Sequence, residues 1–208
     1  MPEPRPGRFV ALEGGEGSGK STQARLLASA LGAELTHEPG GTDVGRRIRE
    51  LVLDATLPEV DERAEALLMA ADRAQHVAEV VRPALRAGRH VVTDRFIGSS
   101  LAYQGHGRGL VVAEVGRLSA WATGGLQPDL VVLLDLPMQE AQARLGRRDR
   151  DRLEQAGVRF HERVVDGYRE LAAADPGRWV VVDASRAVAD VAGAVAAAVA
   201  DRLRLPVS

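Results

Sequence analysis

The sequence predicts an α/β fold in which a five-stranded parallel sheet carries helices on both faces. Two patterns predict it: short apolar runs rich in β-branched residues recur along the chain, and longer segments with helical periodicity separate them. In addition, polar residues directly follow the apolar runs, where sheets of this class bind ligands. The chain has 208 residues and is 45% hydrophobic, so residues 8–208 are predicted to form one domain around a substantial core.

The individual elements follow from these patterns. Strands are predicted at 9–12, 34–36, 91–93, 130–134 and 179–182, the second being the weakest. Helices are predicted at 20–31, 42–54, 61–87, 111–123, 138–145, 153–174 and 187–204. Residues 1–7 hold three prolines and no apolar core, and are predicted to be a flexible tail. No apolar run approaches the ~18 residues that a membrane span requires.

Composition excludes several classes of protein. The chain has no cysteine, which rules out disulfides, thiolate metal sites and a cysteine nucleophile, and is compatible with a cytoplasmic location. A net charge of -2 gives no reason to expect nucleic acid or an anionic membrane as a partner. The chain contains a single lysine, Lys20, among 27 basic residues.

That lysine lies in a glycine-rich motif directly after the first strand. Residues 14–21 match G-x-x-x-x-G-K-[ST], in which backbone N–H groups surround phosphate oxygens, the lysine contacts the β- and γ-phosphates, and the final hydroxyl binds Mg²⁺. The motif predicts the P-loop NTPase fold. The predicted ATP-binding residues are Gly14, Gly15, Glu16, Gly17, Ser18, Gly19, Lys20, Ser21 and Thr22. A glycine-rich turn before a helix is the alternative.

The motif alone leaves the reaction open, because GTPases, ATPase motors and small-molecule kinases share it. Guanine recognition by an Asn-Lys-x-Asp sequence would need a second lysine, which this chain lacks. The chain is also short for a motor core. A small-molecule kinase is therefore favoured over a nucleotide-gated regulatory ATPase.

Several further segments, from Arg8 to about Leu203, resemble the thymidylate kinases, a family of P-loop nucleoside monophosphate kinases. These segments are 38–42, 70–73, 94–96, 99–105, 128–130 and 151–154. The resemblance implies transfer of the γ-phosphate of ATP to dTMP, giving dTDP for dTTP synthesis. It also implies Mg²⁺ as the cofactor and a cytoplasmic homodimer packed through helices 61–87 and 111–123. Another nucleotide or metabolite kinase on this scaffold, or a catalytically weak relative given Met69, is the alternative.

The resemblance also implies residue roles. Its dTMP-binding set is Glu13, Pro39, Arg49, Met69, Arg73, Arg95, Ser99, Ser100, Tyr103 and Gln104. Arg49 and Arg95 would contact the acceptor phosphate, and Arg73 would donate to a thymine carbonyl. Tyr103 would exclude a ribose 2′-hydroxyl. Met69 occupies a position where the family usually has an aromatic residue on the base. Asp94 would hold Mg²⁺ through water, beside Ser21.

The last implied feature is a short mobile lid near residues 144–154. The phosphate loop carries Glu16 and Gly17 where some relatives have an arginine, so the catalytic arginines are expected from the lid. Arg147, Arg148 and Arg152 are predicted to act there, together with Lys20 and Arg95. An exposed charged helix face is the alternative for the lid. Ion pairing or core packing is the alternative for the other candidates.

Overall fold

Five parallel strands form the sheet in the computed structural model, which describes residues 7–57, 60–146 and 151–207. The strands are β1 (Phe9–Glu13), β2 (Glu34–His37), β3 (Val91–Asp94), β4 (Leu130–Asp135) and β5 (Trp179–Asp183). Their order is β2-β3-β1-β4-β5, with Val10 of β1 beside Val92 of β3 and Leu130 of β4. All five predicted strands are confirmed. The order changes direction at β1, which is where α/β sheets form a ligand-binding crevice.

Helices of the described residues connect the strands. They are α1 (Lys20–Leu31), α2 (Asp43–Leu53), α3 (Glu62–His76), α4 (Arg82–Arg86), α5 (Ile97–Ser100), α6 (Val112–Thr123), α7 (Met138–Leu145), α8 (Val158–Ala174) and α9 (Val188–Leu203). A π-helical segment, Val77–Val81, joins α3 to α4, and another, Leu101–Gly107, continues α5. In the part of the chain that the structure describes, no helix is long and apolar enough to cross a membrane.

Two hydrophobic cores lie on opposite faces of the sheet, because successive side chains of a strand point to opposite faces. Phe9 and Ala11 of β1 belong to the core shared with α3 and α8. Val10 and Leu12 belong to the core shared with α1 and α9. Both faces are therefore covered, as the continuous apolar strands predict.

Three regions of the chain differ from the sequence-based expectation. The helix and π-helical segment at 97–107 were not predicted, since glycines and serines hide the apolar periodicity there. Helix α8 begins at Val158 rather than near 153, because an Asp151 side chain accepts from the Glu154 N–H and forms a turn first. The edge strand β5 is only half-buried, and its Val181 is 54% exposed.

Candidate active site

The phosphate loop connects β1 to α1 in the geometry that the motif predicts. Gly19 caps α1 with φ 87°, a left-handed conformation that glycine adopts without strain. The Nζ atom of Lys20 donates to the Gly15 carbonyl at 2.8 Å and lies 3.4 Å from the Ser18 hydroxyl. Lys20 lines an open cavity of about 680 Å³ together with residues of the loop, Arg49, Asp94 and Arg95. Backbone N–H groups and the α1 N-terminus make this cavity suitable for phosphates.

Ser21 and Asp94 both line this cavity and contact each other. The Ser21 hydroxyl donates to Asp94 Oδ2 at 2.5 Å, and Asp94 Oδ1 is buried without a hydrogen-bond partner among the described residues. Hard oxygen donors beside a phosphate site fit Mg²⁺, which usually takes one or two protein ligands and completes its shell with phosphates and water. Within the described residues, no group of three His, Cys, Asp or Glu side chains could hold a metal by itself.

Arg95 lies between the phosphate loop and a second cavity. Its backbone has φ 72°, a left-handed value that is uncommon for a residue with a side chain. The guanidinium donates to the Gly14 carbonyl at 3.2 Å and to Glu16 Oε1 at 2.5 Å. It also contacts the hydroxyls of Ser99, Tyr103 and Tyr168. These contacts hold the guanidinium plane at the junction of the two cavities.

Glu16 belongs to the predicted ATP loop and lines both the cavity around Lys20 and the second cavity. It accepts hydrogen bonds from Arg95 and, at 2.7 Å, from the Tyr103 hydroxyl. Burial raises the pKa of Glu16, but the charges of Arg95 and Lys20 outweigh burial and hold it at about 2. The side chain is therefore an anion at neutral pH.

The second cavity, of about 190 Å³, is called the acceptor cavity below. Of the ten predicted dTMP-binding residues, seven line it: Pro39, Arg49, Met69, Arg95, Ser99, Tyr103 and Gln104. The amide Nε2 of Gln104 donates to Glu65 at 2.9 Å, whereas its Oε1 is buried without a partner among the described residues. A residue that lines the cavity therefore carries a hydrogen-bond acceptor without a partner among the described residues.

Glu13, Arg73 and Ser100 do not line the acceptor cavity and hold its wall from behind. Arg73 is fully buried and donates to Glu38 Oε2 at 2.8 Å and to the Ser100 hydroxyl at 3.0 Å. Arg73 is thus already engaged by the protein, and its contact with a thymine carbonyl stays a prediction.

Glu13 supports the cavity in a comparable way. Its carboxylate accepts from the N–H groups of Phe96 and Ser99 and from the hydroxyls of Ser99 and Tyr168, and burial raises its pKa. Tyr168, on α8, also contacts Arg95 at 3.2 Å. Sequence reasoning missed Tyr168, because no local motif marks a tyrosine that lies 73 residues from Arg95.

The predicted lid arginines have different outcomes. Arg147 and Arg148 lie outside the described residues. Arg152 does not line the cavity around Lys20; its Nη2 atom donates to the buried Glu65 at 3.0 Å, and its Nε to the Val52 carbonyl at 2.8 Å. Arg144 does line that cavity and donates to the Ala184 carbonyl at 2.8 Å. Arg152 therefore anchors its segment to Glu65 and Val52, whereas Arg144 lies at the cavity around Lys20.

Asp72 gives a prediction about stability. Its Oδ1 accepts from the Gly40 N–H at 2.9 Å, and burial together with the Glu38 charge raises its pKa from 3.8 to about 6. Between these values the folded protein binds more protons than the unfolded chain, so the free energy of unfolding falls as pH rises. We expect Asp72→Asn, which keeps the Oδ1 acceptor, to weaken this pH dependence.

Calorimetry of the parent and of Asp72→Asn between about pH 4.5 and about pH 7.5 checks the predicted pH dependence of stability. As pH rises, the melting temperature of the variant should increase relative to that of the parent. Glu114→Gln, which removes an exposed carboxylate on α6, is the control and should leave the pH dependence unchanged. Parallel curves for Asp72→Asn and the parent would contradict the prediction.

Together, a parallel sheet that changes direction at β1, a glycine-rich loop before α1 and a second cavity bordered by arginines define a protein with the P-loop NTPase fold. The sequence matches the family model described as thymidylate kinase over residues 12–195. The chain belongs to the thymidylate kinase family.

Curated relatives agree. A thymidylate kinase of Leifsonia xyli subsp. xyli is 54% identical over 202 residues, covering 94% of this chain and 95% of its own. Thymidylate kinases of Desulforudis audaxviator and Deinococcus radiodurans are 50% and 48% identical. The matches cover 95% and 94% of this chain, and 90% and 98% of theirs.

Proposed function

We propose that this protein is an ATP-dependent dTMP kinase, which transfers the γ-phosphate of ATP to dTMP and releases ADP and dTDP. The observation that carries the proposal, beside the family, is that the two cavities meet. Glu16, Glu38, Arg49 and Arg95 border both the cavity around Lys20 and the acceptor cavity. A donor phosphate and an acceptor phosphate bound there would be adjacent, as a direct in-line transfer requires.

Catalysis in this proposal consists of positioning and charge neutralisation. Lys20 would contact the β- and γ-phosphates, and Arg95 would bind the acceptor phosphate through two parallel N–H groups. The acceptor oxygen is already anionic, so no general base is needed. Mg²⁺ bound near Ser21 and Asp94 would neutralise charge on the ATP phosphates. The chain binds, orients and shields these groups from water.

The residues of the acceptor cavity favour, as the base of the acceptor, a pyrimidine with a protonated N3 atom. The unpartnered Oε1 of Gln104 would accept from the N3–H of thymine or uracil, whereas cytosine presents an acceptor there. Met69, which is 5% exposed, would cover the base with a polarizable sulfur. The ring of Tyr103 would lie against the sugar. Thymine and uracil differ by one methyl group, which apolar contact discriminates by only ~1–3 kcal/mol.

A panel of acceptors tests the proposal. We expect Mg²⁺-dependent ADP formation to be fastest with dTMP, slower with dUMP, and much slower with dCMP and AMP, because only the first two carry N3–H. A coupled assay of ADP formation by the purified protein, with a blank that lacks acceptor, measures these rates. ADP formation at the same rate in the blank would favour an ATPase instead. Comparable kcat/KM for dCMP and dTMP would contradict the base assignment.

A cytoplasmic homodimer and a single domain with a lid near 144–154 belong to the same proposal. The packed helices α3 and α6 expose large apolar side chains, among them Leu67 (58% exposed) and Trp121 (82%). Such side chains favour contact with a second copy of the chain. Sedimentation of the purified protein would give its mass.

A further inference from the structure

Glu65, in the first turn of α3, is a fully buried carboxylate that the proposed reaction does not use. Gln104 Nε2 and Arg108 Nε donate to its Oε1 at 2.9 and 3.3 Å. Arg108 Nη2 and Arg152 Nη2 donate to its Oε2 at 2.9 and 3.0 Å. One carboxylate therefore binds two guanidinium groups and the amide of Gln104, a residue that lines the acceptor cavity.

The contact with Glu65 sets the orientation of the Gln104 amide. A carboxylate only accepts hydrogen bonds, so the amide NH₂ group must face Glu65 and the amide oxygen must face away from it. That oxygen, Oε1, is the buried atom without a partner among the described residues, and Gln104 lines the acceptor cavity. A buried acceptor without a partner is costly, which makes it a place for a ligand donor.

The contact with Arg152 connects the same carboxylate to another wall of the cavity. Asp151 and Leu153, on either side of Arg152, line the acceptor cavity. The Arg152 backbone N–H donates to the Leu53 carbonyl at 3.0 Å and its Nε to the Val52 carbonyl at 2.8 Å. Glu65 thus holds both the amide that would contact the base and the segment that closes the cavity beside it.

We propose that Glu65 is a positioning residue that determines which hydrogen-bonding group the cavity presents to the base, and thereby selects pyrimidines with a protonated N3 atom. This inference rests on the proposed function. Glu65 acts through Gln104 and does not contact the substrate. Its bond to Arg152 holds the neighbouring cavity wall in a fixed position relative to the Gln104 amide.

The variant Glu65→Gln tests it, because it should invert the polarity of the site. The new amide NH₂ group would replace Oε1, which among the guanidinium atoms meets only the Arg108 Nε at 3.3 Å, rather than Oε2, which meets Nη2 atoms of both arginines at 2.9 and 3.0 Å. The NH₂ group would then face Gln104, so the Gln104 amide would rotate and present its own NH₂ group to the cavity. The cavity would then donate to N3 and favour cytosine. We expect the ratio of kcat/KM for dTMP to kcat/KM for dCMP to fall by at least about tenfold. A purely structural role would lower both values equally.

Arg152→Met is the matched control, since it removes a partner of Glu65 but leaves the bond to Gln104. It should lower kcat for all acceptors by a common factor and leave the dTMP-to-dCMP ratio within about twofold. An unchanged ratio in Glu65→Gln, with the parent active on dTMP, would overturn the inference alone. A parent without acceptor-dependent ADP formation would instead overturn the proposed function.

A measurement on the parent protein keeps the inference testable if Glu65→Gln does not fold. The side-chain NH₂ signals of Gln104, assigned in ¹⁵N spectra by their loss in Gln104→Met, should exchange slowly with solvent because Glu65 holds them. They should stay protected when dTMP binds, since the base would contact Oε1. Fast exchange, or loss of protection on binding dTMP, would overturn the proposal.

Discussion

Replacing Arg95 with methionine is expected to lower kcat/KM for dTMP by about 10³-fold or more, the loss typical of an arginine at a transferred phosphate. Methionine keeps much of the side-chain length but removes the charge and the paired N–H groups. Arg95 lies where the two cavities meet, with its guanidinium 2.5 Å from Glu16 and 3.2 Å from the Gly14 carbonyl. Steady-state kinetics with dTMP as the varied substrate, together with the Kd of ATP, would measure the effect.

Two further variants make the Arg95 result specific. Arg95→Lys keeps the charge without the planar fork and should still lose about 10²-fold, because a single ammonium cannot bind two phosphate oxygens in parallel. Arg89→Met removes an exposed arginine paired with Glu34 and should leave the kinetics unchanged. If Arg95→Met weakened ATP binding alone and kept kcat, its place at the acceptor phosphate would be wrong.

Replacing Lys20 with alanine is expected to lower kcat by about 10²- to 10³-fold, because a preorganised cation beside the phosphates stabilises the charge that develops in transfer. Lys20 is 6% exposed and donates to the Gly15 carbonyl at 2.8 Å, so its ammonium group is held in place beside the loop. Single-turnover transfer to dTMP at saturating ATP would isolate the chemical step. Loss of ATP affinity with an unchanged rate of transfer would contradict the prediction.

The pH dependence offers a second measurement at Lys20. Burial and the neighbouring Arg95 charge lower the pKa of Lys20 from 10.5 to about 8, although Glu16 and Asp94 oppose the shift. The free protein therefore loses this positive charge above about pH 8, and kcat/KM for ATP should decline there. Lys20→Arg cannot lose its proton in this range, so its profile should stay flat. A parent profile that is flat to about pH 9.5 would contradict this assignment.

Some features could be predicted because their signals are local. Five strands were correctly placed from short apolar runs, since burial on both faces of a parallel sheet requires continuous apolar side chains. The phosphate loop could be read from residues 14–21, since its glycines and Lys20 act together within a single turn. The helix at 97–107 could not, because Gly98, Ser99 and Gly105 are poor helix formers that only tertiary contacts hold in place.

The sequence by itself determined the sheet and the phosphate loop, because these rest on neighbours in the chain or on a motif of fixed spacing. The resemblance to the thymidylate kinases supplied seven of the residues that line the acceptor cavity. Tertiary structure decided which groups support that cavity. It joined Glu65 to Arg152 and Tyr168 to Glu13, and it placed Arg73 against Glu38. These pairs are far apart in the chain, and a buried charge or hydroxyl takes whichever partner the folding of the sheet and its helices brings within hydrogen-bond distance.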